Sequence, residues 1–319
     1  MALKKRSATE FTLKQALQKR IDNNALRTLI VNDKLTDFCS NDYLGFARSQ
    51  QLKKSIDKFK LKSKNKLNGS GGSRLLSGNT AFAEELEKEI AKFHKAQAGL
   101  IYNSGYDANI GLLSCIAAEG DTIIYDELAH ASIHDGIKLS KASAYMFRHN
   151  DLEHLQQRLQ IASGTVYVVV ESVYSMDGDI CLLKEITALC KKYNANLIVD
   201  EAHTTGVIGK NGEGLVCNLK LEKKVFARVH TFGKALGCHG AVVLGSKTLR
   251  EYLINFSRSF IYTTALPPHS LVAIKQAYQL LKNRKTDIKK LKKLISYFRA
   301  NVAEHKNLSF IERDRKSVV

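Results

Sequence analysis

Leu197-Ile198-Val199-Asp200-Glu201-Ala202-His203 joins a short, wholly apolar run to an acid, and this junction decides the fold. Consecutive aliphatic residues suit a strand buried on both faces, as in a parallel sheet. An acid directly after such a strand sits at its carboxyl end, where open α/β sheets collect their ligands. Lys234 lies 34 positions beyond Asp200, in Thr231-Phe232-Gly233-Lys234-Ala235-Leu236-Gly237. A lysine can form an imine with an aldehyde, and an acid can keep a ring nitrogen protonated. An aldehyde cofactor with a basic ring nitrogen needs both.

Working outward, the same kind of run recurs. Strand candidates are Gly99–Tyr102, Thr122–Tyr125, Ala144–Phe147, Val166–Val170, Leu197–Val199, Val225–His230 and Ala241–Leu244. Helical periodicity falls between most of them, over Phe82–Phe93, Asn109–Ile116, Ile133–Leu139, Leu152–Gln160 and Leu183–Tyr193. This alternation predicts an α/β fold, with a mostly parallel seven-stranded sheet and helices on both faces. Residues 1–45 stand apart as a helix around Phe11–Arg20 and an extended piece ending in Ser40-Asn41-Asp42-Tyr43-Leu44-Gly45. The only two prolines, Pro267-Pro268, mark a second boundary, before helical patterns at Leu271–Leu281 and Ile288–Val302. The expected units are therefore 1–45, a large domain 46–268, and the start of a small C-terminal α+β domain at 269–319.

A chain of 319 residues with 44% hydrophobic residues can bury a large core. No apolar run approaches the roughly 18 residues of a membrane span. The six cysteines are scattered without a C-x-x-C pair, which suits a reduced cytoplasmic setting better than disulfides or zinc. Each reads first as a small buried thiol, and only Cys238 falls near the lysine motif. The net charge of +18 is uneven. Residues 1–66 hold 16 basic against 6 acidic residues, 273–319 hold 13 against 4, and the middle is balanced at 20 against 21. Solvated helix faces explain such ends; an acidic protein docking on them is the sharper alternative. Nucleic acid is disfavoured, because the basic runs lack interleaved aromatics and any DNA-reading motif.

Each chemical motif has a plainer reading. Lys234 alone could be a surface lysine in a turn, although Gly233 and Gly237 would let the backbone approach a bulky ring. Asp200 and His203 could be a helix cap and a solvent histidine. D-E-A-H also spells a helicase box, but the chain has no G-x-x-x-x-G-K-[ST] phosphate loop, so an NTPase fails. Ser104-Gly105-Tyr106, between a strand and a helix, could hold a phosphate on helix-start amides. His130 could stack on a flat ring or pack with His134, and no third ligand suggests a metal there. Gly69-Ser70-Gly71-Gly72-Ser73-Arg74 could cover a substrate or be a linker.

Taken together, Ser40–Gly45, Gly69–Ser77 (GSGGSRLLS), Ser104–Tyr106, His130–Ser132, Ser175–Asp179 (SMDGD), Asp200–His203, Thr231–Lys234 and Ile261–Pro268 (IYTTALPP) resemble the α-oxoamine synthases. These are pyridoxal 5'-phosphate enzymes of the aspartate-aminotransferase fold type (fold type I). The match runs over roughly residues 25–270 in the family's order. It is closest to the branch that joins L-alanine to a pimeloyl thioester, giving 8-amino-7-oxononanoate for biotin. The resemblance implies that Lys234 holds the cofactor aldehyde and moves protons at the substrate α-carbon. Asp200 pairs with the ring nitrogen, His203 and Ser175 lie near the phenolic oxygen, and His130 stacks on the ring. Ser104, Gly105, Tyr106 and Thr231 belong to the phosphate side, with Thr264 reaching the phosphate of a second subunit in a homodimer whose active site lies at the interface. Arg27, Asn41 and Ser73 match substrate positions. Glycine-using relatives of the 2-amino-3-ketobutyrate ligase type share the core, so alanine rests on the GSGGSRLLSG wording. Family members continue into a complete C-terminal domain with an arginine for the amino-acid carboxylate, and residues 273–319 hold no match to it. A truncated cofactor-binding protein with little activity is the alternative this raises. The basic ends suggest an acidic acyl-carrier protein as pimeloyl donor, with coenzyme A as the other carrier.

Overall fold

The computed structural model describes residues 2–31, 35–59, 68–283 and 285–302. Residues 60–67, and 303–319 of the expected C-terminal domain, lie outside the described residues. Seven strands form one sheet: β1 (Ala98–Tyr102), β2 (Thr122–Asp126), β3 (Ser143–Phe147), β4 (Val166–Glu171), β5 (Asn196–Asp200), β6 (Ala227–Thr231) and β7 (Ala241–Gly245). Their order is β1-β7-β6-β5-β4-β2-β3. All neighbours are parallel except β7, which runs antiparallel to both β1 and β6. The sheet is thus mostly parallel, of the fold type that the motifs indicated, with one reversed strand.

Twelve helices accompany it among the described residues. They are α1 (Ala2–Asp22), α2 (Gln50–Lys58), α3 (Ala81–Phe93), α4 (Gly105–Ile116), α5 (Ala131–Lys138), α6 (Leu152–Ile161), α7 (Leu183–Lys192), α8 (Leu215–Asn218), α9 (Lys247–Phe256), α10 (Arg258–Ile261), α11 (Pro268–Asn283) and α12 (Lys285–Val302). Side-chain caps start several: Thr80 accepts from Ala83, Asp151 from His154 and Ser246 from Leu249.

Because β6 is buried throughout, and β4 and β5 are buried in all but their first residues, their side chains feed clusters on both faces. Ile198 and Val229 join Leu112, Ile133 and Leu253 on one side. Leu197 and Val199 join Leu155, Ile186 and Val216 on the other. A third cluster wraps the antiparallel edge, where Val242 and Leu244 of β7 meet Ile90 of α3 and Leu271, Ile274 and Leu281 of α11. Pro268 opens α11 at a position that needs no amide donor, and the helix shares this core with β7.

The N-terminal region contains α1 and then irregular backbone. Among the described residues the expected extended piece forms no strand, and it ends instead in turns at 43–45. Leu29, Ile30, Val31 and Phe38 are exposed there.

Candidate active site

The carboxyl ends of β1, β4, β5 and β6 and the start of β7 open into one cavity of about 330 Å³. That β7 is reversed matters here, because it brings Gly240 and Ala241 to the same sheet edge as Thr231. A cavity of about 680 Å³ between α3 and α9 is larger, but it lies at the opposite end of β1 and gathers none of the residues singled out from the sequence.

Asp200 is the last residue of β5 and is only 6% exposed. Its carboxylate accepts from Asn109 Nδ2 at 2.8 Å and from the Ala202 amide at 2.8 Å. Asn109 is itself held by Ser132 Oγ at 2.9 Å. Lys234 lines the same cavity, on the nine-residue connection between β6 and β7. Burial pushes its ammonium below the usual lysine range, while Asp200 and Glu171 pull the other way.

His130 caps α5, and its Nδ1 accepts from the Ser132 amide at 3.2 Å. Burial lowers its pKa, with Asp200 opposing, so a neutral, flat ring faces the cavity. His203 Nδ1 shares a 2.6 Å hydrogen bond with the Tyr43 hydroxyl, which also donates to Asn41 Oδ1 at 3.0 Å. Burial, with Lys234 next, drives the His203 pKa down to about 3.

At the far side α4 begins. Ser104 Oγ accepts from the Asp107 amide at 3.0 Å and donates to its carboxylate at 2.8 Å. The first amides of a helix have no intrahelical partners and carry its positive dipole end. Thr231 Oγ1 is buried beside them with no hydrogen-bond partner. A Cβ on Gly105 would stand 2.5 Å from Thr231 Cγ2, so only glycine lets the start of α4 approach the end of β6. An orphaned hydroxyl, free helix-start amides and a buried carboxylate across from a lysine fit a planar cofactor with a phosphate arm. The residues present therefore suit pyridoxal phosphate.

The cavity gathers Lys234, Asp200, His203, His130, Ser104, Gly105, Tyr106, Thr231 and Asn41. The Tyr106 hydroxyl donates to Asp135 at 2.7 Å. Ser175 falls in the turn at 175–177 and is not among the lining residues; buried Ser172 instead donates to the Asp200 carbonyl at 3.0 Å. Arg27 and Thr264 are exposed, and neither they nor Ser73 line the cavity. The Gly-Ser loop and the IYTTALPP stretch are bound to each other: Ser70 Oγ donates to the Ala265 carbonyl at 2.7 Å, and the Ala265 amide to Gly72. Gly237 is not among the residues lining the cavity. A Cβ there would stand 2.1 Å from the Ala47 amide nitrogen, so this glycine seats the Lys234 turn against the N-terminal segment.

Sequence reasoning missed Asn109, Ser132, Glu171 and His239, which all line the cavity. Glu171 carried the signal that found Asp200, an acid directly after a buried Val run. Glu201 was also passed over. It is wholly buried, accepting from Thr204 Oγ1 and the Leu215 and Val216 amides, and it organises the loop that follows β5.

Among the described residues no helix is long and apolar enough to cross a membrane. All six cysteines are unpaired.

The sequence pattern of the aminotransferase class I and II family matches residues 33–318. An 8-amino-7-oxononanoate synthase of Emericella nidulans is 44% identical over 322 residues, covering 94% of this chain and 78% of that protein. The crystal structure of 8-amino-7-oxononanoate synthase from Francisella tularensis overlays with a TM-score of 0.71 at 34% identity, over 85% of this chain and 76% of the other. Serine palmitoyltransferase from S. paucimobilis, solved with a bound PLP–myriocin aldimine, overlays with a TM-score of 0.75 at 30% identity, over 85% and 71%. With the strand order, the lysine turn and the acid at the end of β5, these likenesses establish that the chain belongs to the aminotransferase class I and II family of pyridoxal-phosphate enzymes.

Proposed function

We propose that this enzyme is an acyltransferase that condenses L-alanine with a pimeloyl thioester, releasing carbon dioxide and the carrier thiol and leaving 8-amino-7-oxononanoate for biotin synthesis. The observation that carries the reading is the convergence of Lys234, Asp200, His203, His130 and Thr231 on one cavity. The 44% identity to a synthase of that name supports the choice of substrates.

When bound, pyridoxal phosphate supplies an aldehyde for the lysine and an electron sink for a carbanion at the amino-acid α-carbon. The chain's own residues do the rest. Asp200, pre-set by Asn109 and the Ala202 amide, keeps the ring nitrogen protonated. His130 offers a neutral face to the ring, and His203, steadied by Tyr43, serves the phenolic side. Thr231 Oγ1 and the α4 amides of Gly105 and Tyr106 hold the phosphate, with Ser104 fixing the helix start. Lys234, whose ammonium is disfavoured by burial, takes up and returns the α-proton more readily than a solvated lysine.

Asn41 reaches the amino acid, with Arg27 and Ser73 as further substrate contacts. Thr264, exposed on the strap bound to the Gly-Ser loop, serves the phosphate of the other subunit of a homodimer. The basic ends suit an acyl-carrier protein as donor, and six unpaired cysteines suit a cytoplasmic setting. A second reading follows from the overlay on serine palmitoyltransferase, namely a different amino acid joined to a longer acyl chain. A glycine-using relative is the third.

The test has two stages. Purified protein mixed with pyridoxal phosphate should gain a visible absorbance band that borohydride abolishes and Lys234→Ala never shows. Carbon dioxide release is then measured for L-alanine, glycine and L-serine, each with pimeloyl and palmitoyl thioesters. Release confined to L-alanine with the pimeloyl group upholds the reading; preference for L-serine with palmitoyl replaces it.

A further inference from the structure

Glu171 and Asp200 are registered partners at the ends of the parallel strands β4 and β5. Registered residues of parallel strands present their side chains on the same face of the sheet. Both carboxyls line the active-site cavity, and both are buried, at 2% and 6% exposure.

Their partners differ. Asp200 accepts two hydrogen bonds, from Asn109 Nδ2 and the Ala202 amide. Glu171 accepts one, from the His130 amide to Oε1 at 2.6 Å. Among the described residues Lys234 is the single lysine or arginine lining the cavity. Behind Glu171 stands Asp126, whose carboxylate is taken by His149 at 2.9 Å and by the Leu128 and Asn150 amides. Tyr174, on the segment after β4, has a buried hydroxyl that adds no charge. One cation thus faces two adjacent buried carboxyls, with a third close by. Two like charges at such a site cannot both ionise cheaply, and the group with fewer donors keeps the proton.

We propose that Glu171 is a neutral carboxylic acid at physiological pH, and that it thereby leaves Asp200 as the sole anion opposing Lys234 at the strand ends. Burial first, and Asp200 second, push the Glu171 carboxyl up to about 8, in the same direction. Glu171 is a positioning residue. It acts through the charge left on Asp200 and through the His130 amide, which sets where the His130 ring stands. The protonation state rests on the apoprotein alone; its use in catalysis rests on the function proposed above.

An amide mimics a protonated carboxyl in shape and in acceptor, so Glu171→Gln is the decisive variant and Glu171→Ala its control. Infrared spectra of the cofactor-free protein should show a protonated-carboxyl band at neutral pH that bleaches near pH 8 and is missing from E171Q. In the thermal series, the Tm of the unmodified protein should fall relative to E171Q as pH rises from about 4.5 towards about 8, because the folded state alone is holding that proton. E171Q should then keep most of the cofactor affinity and turnover while losing the ionisation near pH 8 from its pH profile, and E171A should lose turnover. No such band, a pH-independent Tm difference, or an E171Q protein that fails to fold or is as impaired as E171A overturns the proposal. The first two readouts need no cofactor, so failure of the proposed reaction leaves them standing.

Discussion

The Tyr43 hydroxyl meets His203 Nδ1 at 2.6 Å, across 160 residues of sequence. Through this contact the N-terminal segment becomes part of the site, because the same hydroxyl also holds Asn41 Oδ1. Tyr43→Phe keeps the ring packing and deletes only that bridge. A neutral hydrogen bond of this kind contributes about 1 kcal/mol. The variant should fold normally, and kcat/KM should fall about fivefold to tenfold. Steady-state kinetics check this, and an unchanged kcat/KM would show that the bridge does not steady His203.

A second buried pair controls acid stability. His94 and His230 lie side by side, with ring centroids 3.9 Å apart and planes tilted by 37°, and both are wholly buried. Burial, with Arg228 next, lowers the His94 pKa to about 3, and burial with His94 itself lowers that of His230. Both rings are therefore neutral in the folded protein, whereas unfolded histidine titrates near about 6.5. Folded pKa values below the unfolded one mean that the unfolded chain takes up protons first. The stability is present above about pH 6.5 and is lost as pH falls, by up to about 1.4 kcal/mol per unit for each ring. His94→Asn removes one such group. Its Tm should decline less steeply than the wild type's between about pH 7 and about pH 5, whatever its starting value. Parallel Tm curves would contradict this.

Most of the sheet was legible because its strands carry dense Val and Ile runs, and those between β2 and β6 alternate with helical segments. The direction of β7 was not read, since an apolar run carries no polarity. A signal existed nonetheless: only nine residues join Thr231 to Ala241, too few for a parallel crossover of a dozen or more. Helices α2 and α9 were missed for a different reason. Gln50–Lys58 runs into a lysine-rich sequence with little apolar periodicity, and it buries little beyond Leu52. Lys247–Phe256 had a legible start in Ser246. At the site, Asp200 and Lys234 stood out by their flanking motifs. Asn109 and Tyr43 did not, because their importance comes from partners 91 and 160 positions away.

The Lys234 turn depends on one glycine more than on the other. Gly237 has φ +59° and would place a Cβ 2.1 Å from the Ala47 nitrogen, a backbone atom that cannot swing aside. Gly233 would meet nothing closer than the Cys238 carbonyl at 3.5 Å. Gly237→Ala should cost at least about 1–3 kcal/mol in chemical denaturation and loosen the N-terminal segment. Gly233→Ala should stay within about 0.5 kcal/mol. Equal costs at the two positions would contradict the asymmetry.

Thr231 separates stability from binding. Its buried hydroxyl has no partner in the cofactor-free protein, and leaving such a group unpaired costs about 1–3 kcal/mol. Thr231→Val keeps the shape and removes that cost, so the apoprotein should be as stable as the wild type or more stable. The same change removes a donor for an incoming phosphate. Pyridoxal-phosphate affinity should therefore weaken by about tenfold, equivalent to about 1.4 kcal/mol, and Thr231→Ser should restore it. Apoprotein Tm and cofactor Kd are measured on the same three proteins. The two quantities should move in opposite directions in the valine variant. A valine variant that loses apoprotein stability while binding the cofactor normally would show that the hydroxyl serves the fold and not the phosphate.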